Sequence, residues 1–227
     1  MKPVDAQPIL MDRVYERLVE SITDGGLEPG ERIRQEELAA RLGVSRQPVS
    51  HALQLLRRQG LLEEAGKRGW IVARIDAARI LDLYQIRTEL DGLAARLAAE
   101  RIARGDAAPD RVRALRAAME HGQGLDAGAA GAAYVRADVG FHMAVYRLSG
   151  NAAIEETVSA QWLHLKRAMG VVLADNSLRP RIWHEHAEIA RLILAGDAAG
   201  AEAAARTHTD GAARTTASRL AADPGDH

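Results

Sequence analysis

Cysteine is absent from the 227 residues, which excludes a disulfide framework and any thiolate metal site. Aromatic residues make up only 4%, so Ala and Leu must form most of the core, and with Arg and Glu they favour a mainly α fold. No apolar run approaches the roughly 18–20 residues that cross a membrane. The first residues, MKPVDAQPILMD, lack the apolar core of a signal peptide. We therefore expect a cytoplasmic protein with no membrane partner.

The chain also lacks an overall excess of charge, since its formal net charge is −1. Contact with nucleic acid would therefore have to depend on local charge. Between residues 34 and 74 the chain has eight Lys and Arg residues but only four Asp and Glu residues. Such a locally positive segment is the electrostatic property that phosphate binding requires.

Apolar spacing and turn signals predict a winged helix-turn-helix over residues 11–75, preceded by a flexible tail at 1–10. A first helix runs from Met11 towards Gly25, "QEELAARL" forms a short second helix, and Ser45 caps a third. The segment "LEPGERI" is predicted to be a loop. Two short strands around a glycine-containing hairpin then follow Leu62 and form the wing.

In this arrangement the third helix presents its N-terminal end to the major groove of DNA. Arg46 suits a guanine edge or a phosphate, and the basic wing tip suits the DNA backbone or the minor groove. The alternative is a small α/β module whose arginines are merely solvated. The candidate DNA-binding residues are Arg34, Ser45, Arg46, Gln47, Ser50, Lys67 and Arg68.

Residues 76–221 have long helical periodicity and predict an antiparallel all-α helical bundle, followed by a flexible tail at 222–227. Glycines and a proline-containing segment divide the bundle. The predicted helices lie near residues 77–104, 109–122, 129–149, 152–174, 178–195 and 198–220.

Polar side chains interrupt the apolar stripes of four of these helices: Asp138 and His142 share one face, while His186, His208 and Arg87 lie on three others. A buried unpaired charge costs several kcal/mol, so these residues should meet. Three imidazoles and a carboxylate at one point form a metal site. Alternatively, each residue is hydrogen-bonded separately in the core, with Asp138–His142 and Arg87–Asp91 as local i,i+4 pairs. Periodicity alone does not decide between these readings.

Longer strings resemble a known family. "PGERIRQEELAARLGVSRQPVSHALQLLRRQGLL" and "GKRGWIV" resemble the winged helix of the GntR family of bacterial transcription regulators. "IRTELDGLAARLAA", "DVGFHMAVYRLSGN" and "EHAEIARLILAGDAAGAEAAARTH" resemble the ligand domain of its FadR-like branch, called FCD. Two departures concern DNA contacts, since Ser50 and Glu36 stand where the family often has basic residues. A third is Asp91, where a Glu is usual.

The resemblance implies a homodimer that binds a DNA operator with two-fold related half-sites. It also implies a divalent metal held by one Asp and three His, at Asp138, His142, His186 and His208. We expect zinc, although nickel or manganese would also fit these ligands. A small organic acid would be the effector, with Arg87 binding its carboxylate. The expected protein is a repressor released by effector; the alternatives are a metal-dependent hydrolase-like enzyme and a regulator whose metal is purely structural. No further acid or base is evident near the site, so we expect no catalysis.

Overall fold

The structure is a computed structural model that describes residues 8–66 and 69–222. Its internal contacts divide the chain between Ile75 and Asp76 into two compact units. Among the described residues, no helix combines the length and the apolar character that crossing a membrane requires.

The first unit is a winged helix-turn-helix, which confirms the predicted fold. Its strands form one antiparallel sheet in the order β1-β3-β2, with Leu62 opposite Val72 in the wing hairpin. Gly43 ends the second helix with φ of +65°, a left-handed conformation that makes the tight turn of the motif. The elements are α1 (Pro8–Thr23), β1 (Arg32–Ile33), α2 (Gln35–Leu42), α3 (Arg46–Arg58), β2 (Leu62–Ala65) and β3 (Gly69–Val72).

Two local predictions for this unit are wrong. α1 begins at Pro8, inside the segment expected to be a loose tail, because a proline is well tolerated in the first turn of a helix. β1 lies within the predicted loop and pairs Arg32 with Ile71. Two residues are too few to show the alternation by which a strand is recognised.

The core of the first unit lies between α1, α3 and the sheet. Val49, Leu53 and Leu56 of α3 are fully buried, and they repeat at the spacing of one helical face. α1 packs along α3 and buries its own apolar stripe there. This packing fixes α3 on its apolar side and leaves the N-terminal end of α3 exposed.

The second unit is a helical bundle, again as predicted. α4 is its central element and packs against α10, α6 and α9. Gly105, Gly150 and Gly196 each end a helix in the left-handed conformation. The helices are α4 (Ala77–Arg104), α5 (Pro109–Gln123), α6 (Gly131–Ser149), α7 (Ala152–Ser159), α8 (Trp162–Leu173), α9 (Arg179–Ala195) and α10 (Ala198–Ala222), with a 3-10 turn at Asn176–Leu178.

One predicted helix, 152–174, is two helices in the structure. The chain breaks at Ala160 and Gln161, between α7 and α8. Neither proline nor glycine marks this break, so the sequence pattern did not reveal it. The new helix brings the Trp162 ring against the guanidinium of Arg87, with 4.6 Å from the carbon of the guanidinium to the ring centroid.

The stripe that the spacing predicts on α4 is divided between two faces; it consists of Ile80, Leu83, Arg87, Leu90, Ala94 and Leu97. Ile80, Arg87 and Ala94 are buried in the bundle. A second set at three- and four-residue spacing remains partly exposed, and Ile86 in its middle is 48% exposed. We call this set the outer face of α4; it consists of Leu83, Ile86, Leu90, Leu93 and Leu97.

Candidate metal centre and DNA-binding surface

Three helices bring the four candidate ligands into one buried cluster. His186 Nε2 lies 3.1 Å from His208 Nε2. The carboxylate of Asp138 lies beside two of the imidazoles, with Oδ1 3.5 Å from His142 Nε2 and Oδ2 3.7 Å from His186 Nε2. All four side chains are buried, His186 completely. The polar residues that interrupt the apolar stripes of α6, α9 and α10 therefore lie together.

The three imidazoles lie close enough together to bind one metal ion. One ring nitrogen from each can be chosen so that all three lie within 4.8 Å of one another. A tetrahedral metal with bonds of about 2.1 Å would separate its ligand atoms by about 3.4 Å, which is similar. His142 Nε2 is buried and has no hydrogen-bond partner. Burial, with further contributions from Arg87 and the adjacent imidazoles, holds the pKa of His142 and His186 well below the usual value, so both rings are neutral.

Burial shifts the pKa of Asp138 in the opposite direction to the pKa values of His142 and His186. Burial raises the pKa of its carboxyl to about 6, although Arg87 and His208 oppose this change. A cation among these ligands would compensate the cost of burying this carboxylate. The donor set of one carboxylate and three imidazoles therefore fits a divalent metal.

Arg87 is buried in the same interior and is held by several groups. Its Nε lies 3.2 Å from Asp91 Oδ2, which is the ion pair expected from their spacing. The N–H is nevertheless not directed at that oxygen and has no hydrogen-bond acceptor. The rings of Trp162 and Tyr84 flank the guanidinium. Burial lowers the pKa of Arg87, but Asp91 and other nearby groups raise it by more than burial lowers it. The net shift is upward, so the guanidinium stays charged.

Asp91 itself accepts two hydrogen bonds in addition to this ion pair. Tyr146 donates a hydrogen bond to its Oδ1, and Thr209 donates one of 2.7 Å to its Oδ2. His142 Nδ1 lies 3.6 Å from Oδ2. The residue at which this chain departs from the family is therefore close to both Arg87 and a candidate ligand.

A small cavity adjoins the cluster and reaches the surface of the bundle. Its volume is about 30 Å³, which is space for about two water molecules. Arg87, Asp138 and His208 all line it, together with hydroxyl groups from Tyr84 and Thr216. The candidate ligands and the candidate carboxylate-binding arginine thus face one space.

The expectation that no further acid or base lies near the site is wrong, because the structure places Glu185 there. Its Oε2 lies 2.8 Å from Nδ1 of His208. Glu185 directly precedes His186 and lies off the apolar stripe of α9, so periodicity did not point to it. By contrast, His184, His51 and His121 are exposed, and His227 lies outside the described residues.

The N-terminal end of α3 is exposed, as DNA reading requires. Ser45, Arg46 and Gln47 are exposed, and Ser50 is half-buried. Ser45 occupies the cap position of α3, but its side chain makes no capping hydrogen bond, which corrects that prediction and leaves its hydroxyl available. Arg46 Nη1 pairs with Glu36 Oε1 at 2.8 Å.

A concave surface extends from α3 towards the wing. Arg34 lines it and pairs with Glu37 at 3.2 Å. Arg32, Gln35 and Trp70 also line it, and none of them was predicted to bind DNA. Gln35 holds the motif together, since its side-chain amide donates a 2.8 Å hydrogen bond to the carbonyl of Arg46. The two predicted wing-tip residues, Lys67 and Arg68, lie outside the described residues.

A winged helix-turn-helix with an exposed polar helix end, followed in the same chain by a ligand-binding type of helical bundle, defines a DNA-binding transcription regulator. Comparison with known proteins agrees. The bacterial regulatory protein gntR family matches residues 10–72, and the FCD domain matches residues 82–211. The chain therefore belongs to the GntR family of bacterial transcription regulators and carries an FCD domain; it is not an enzyme.

Individual relatives support this assignment. The chain is 32% identical over 200 residues to an uncharacterized HTH-type transcriptional regulator in an unstable DNA locus of Streptomyces ambofaciens, covering 86% of this chain and 80% of the relative. It is 28% identical to the probable D-xylose utilization operon transcriptional repressor of Paenarthrobacter nicotinovorans, covering 86% and 84%. The fold is similar to that of E. coli McbR/YncC, with a TM-score of 0.73 and 21% identity over 89% of this chain and 94% of that one.

Proposed function

We propose that this regulator holds a divalent cation at Asp138, His142, His186 and His208 and senses a small organic acid beside it. The observation that carries the proposal is the cavity, because its wall includes two of these ligands and the buried charge of Arg87. Zinc is the expected ion, since three imidazoles and a carboxylate are ligands that it prefers. Nickel and manganese also suit such ligands.

The cation, when bound, supplies a Lewis acid to which a carboxylate oxygen of the effector can bind. Arg87 supplies a buried guanidinium whose carbon lies 4.6 Å from the ring centroid of Trp162 and 5.8 Å from that of Tyr84. Such a group binds a carboxylate with directional hydrogen bonds. The limited cavity volume of about 30 Å³ favours a short acid over a long-chain one.

Effector binding changes DNA affinity only as far as the acid binds one arrangement of the protein better than another. Couplings of this kind are typically about 1–3 kcal/mol. We propose that the protein represses transcription and that the effector relieves this repression. The Paenarthrobacter relative, named as a probable repressor, supports repression. A protein that acts on a bacterial operator works in the cytoplasm.

We also propose that the regulator is a homodimer, because winged helices of this type read half-sites related by a two-fold axis. The outer face of α4 supports this. Its aliphatic residues have the three- and four-residue spacing of a helix–helix seam, and within the described residues Ile86 and Leu10 are the large apolar side chains that are most exposed. Sedimentation equilibrium would distinguish the 24.5 kDa chain from its dimer.

A screen of small carboxylic acids by thermal shift tests the sensor. The protein is stripped with a chelator, and one half is reloaded with Zn²⁺. We expect particular acids to raise Tm in the loaded protein only, and to release DNA at the same concentrations. Equal stabilisation without metal would support the alternative, a regulator whose metal is purely structural.

Arg87→Lys sharpens this test. Lysine keeps a positive charge beside Asp91 but loses the planar fork, so we expect acid affinity to fall about tenfold or more while zinc content is unchanged. Arg96→Lys, on the same helix and half-exposed, is the matched control. A normal acid response in Arg87→Lys would reject the assigned role.

A further inference from the structure

Glu185 connects the cavity with one of the candidate ligands. It lies on α9, and its two carboxylate oxygens have different partners. Oε2 accepts a hydrogen bond from Nδ1 of His208 at 2.8 Å, and Oε1 lies 3.1 Å from Nε of Arg181. Glu185 and Arg181 also line the cavity, Arg181 at its exposed side.

The hydrogen bond to Glu185 determines which nitrogen of His208 carries the proton. A carboxylate accepts only, so Nδ1 must donate, and in the neutral ring Nε2 then keeps its lone pair. That Nε2 is the atom that faces His186 Nε2 at 3.1 Å. Glu185 therefore turns the correct nitrogen of His208 towards the cluster.

His186 lacks an equivalent partner among the described residues, since its Nδ1 is buried without a hydrogen bond. Nδ1 of His142 lies 3.6 Å from Oδ2 of Asp91, which is farther than Nδ1 of His208 lies from Glu185. Partners of this kind behind a metal-bound imidazole typically change metal affinity about 10–100-fold. His208 is thus the ligand whose orientation depends most on one neighbouring side chain.

We propose that Glu185 is a positioning residue of the metal centre, which fixes the tautomer and the ring orientation of His208. The inference depends on the proposed metal site. It assigns no direct metal contact to Glu185. It makes the strength of metal binding depend on a half-exposed carboxylate at the wall of the effector cavity.

Zinc affinity of Glu185→Gln, measured by competition with a chromophoric chelator, tests the proposal. We expect affinity to fall about 10–100-fold relative to wild type. Glu188→Gln is the matched control, because Glu188 also lies on α9 and pairs with an arginine, Arg191, but does not contact His208. Arg181→Gln removes the ion pair of Glu185 and keeps its contact with His208, so it should retain near wild-type affinity.

The outcomes separate the possible failures. If wild type binds no zinc, the metal site itself is rejected. If wild type binds zinc and Glu185→Gln binds equally well, or if Arg181→Gln or Glu188→Gln loses as much, the positioning role is rejected. A second measurement needs no variant: ¹⁵N NMR of the histidine rings in the metal-free protein should show His208 with its proton on Nδ1. A proton on Nε2 would overturn the proposal.

Discussion

The two units use arginine in opposite ways. Arg46, at the exposed end of α3, has a side chain that is 68% exposed, whereas Arg87 on α4 is 2% exposed. Each lies within 3.2 Å of a carboxylate. The exposed pair is weak, typically worth about 0–1 kcal/mol, so DNA can replace Glu36 at little cost. The buried pair must be compensated by several neighbours and therefore has a fixed geometry.

This difference shows where each unit can carry a function. A surface that binds a long polyanion needs charge that is accessible and easily exchanged. A site for a cation and a small acid needs groups held in place before the ligand arrives. The predictions below test this division, because each variant should affect one unit and spare the other.

The largest expected effect is that of His186→Ala. Removing a direct ligand should lower zinc affinity by more than about 100-fold, beyond the effect typical of an outer partner. DNA affinity of the metal-free protein should stay within about twofold of wild type, since His186 lies in the second unit and the DNA-binding surface in the first. Zinc competition and fluorescence anisotropy with labelled DNA measure the two effects.

His184→Ala is the control for this variant, because His184 lies on the same helix and is exposed. Unchanged zinc content in His186→Ala would reject the ligand assignment. If DNA affinity fell as much as zinc affinity in His186→Ala, the two units would not carry separate functions. Since His186 stacks on Phe141 at 4.3 Å, far-UV circular dichroism must first show that the variant is folded.

The sequence predicted the features that depend on local chemistry. Glycine stops, the capping position of α3 and helical periodicity gave the winged helix and the glycine-bounded helices. The same periodicity identified Asp138, His142, His186 and His208 as inward-facing. It did so because a polar residue in an apolar stripe is visible in the chain itself.

Features that depend on tertiary packing were not predictable in this way. β1 exists because β3 lies beside it, and the break before Trp162 has no proline or glycine signal. Glu185 contacts His208 across 23 positions of sequence, so only the packing of α9 against α10 reveals it. The metal ligands needed the same information, since periodicity shows direction but not convergence.

A smaller effect is expected from Arg46→Ala in the first unit. Losing a guanidinium that reaches a base or a phosphate should weaken operator binding roughly tenfold or more. If the contact is to a phosphate, the slope of log affinity against log salt concentration should also fall by about one. Arg58→Ala, at the other end of α3, is the control because Arg58 is also exposed. Anisotropy titrations on a duplex selected from random DNA, at several salt concentrations, measure both quantities. An equal loss in Arg58→Ala would show that only general charge matters.

The smallest effect, and the one that most sharpens the comparison, is expected from Glu36→Gln. Glu36 holds Arg46 at 2.8 Å on the surface that DNA must cover. Removing its charge frees Arg46, so DNA affinity should rise, by up to about fivefold for an exposed pair of this kind. Glu20→Gln is the matched control, since Glu20 pairs with Arg17 on α1 and the variant changes net charge equally. A rise no larger than in Glu20→Gln would mean that Glu36 does not restrain Arg46. A larger rise, with zinc affinity unchanged, would show that the first unit limits its own DNA affinity through this exposed ion pair. The buried pair of Arg87 and Asp91 in the second unit could not exchange partners so readily.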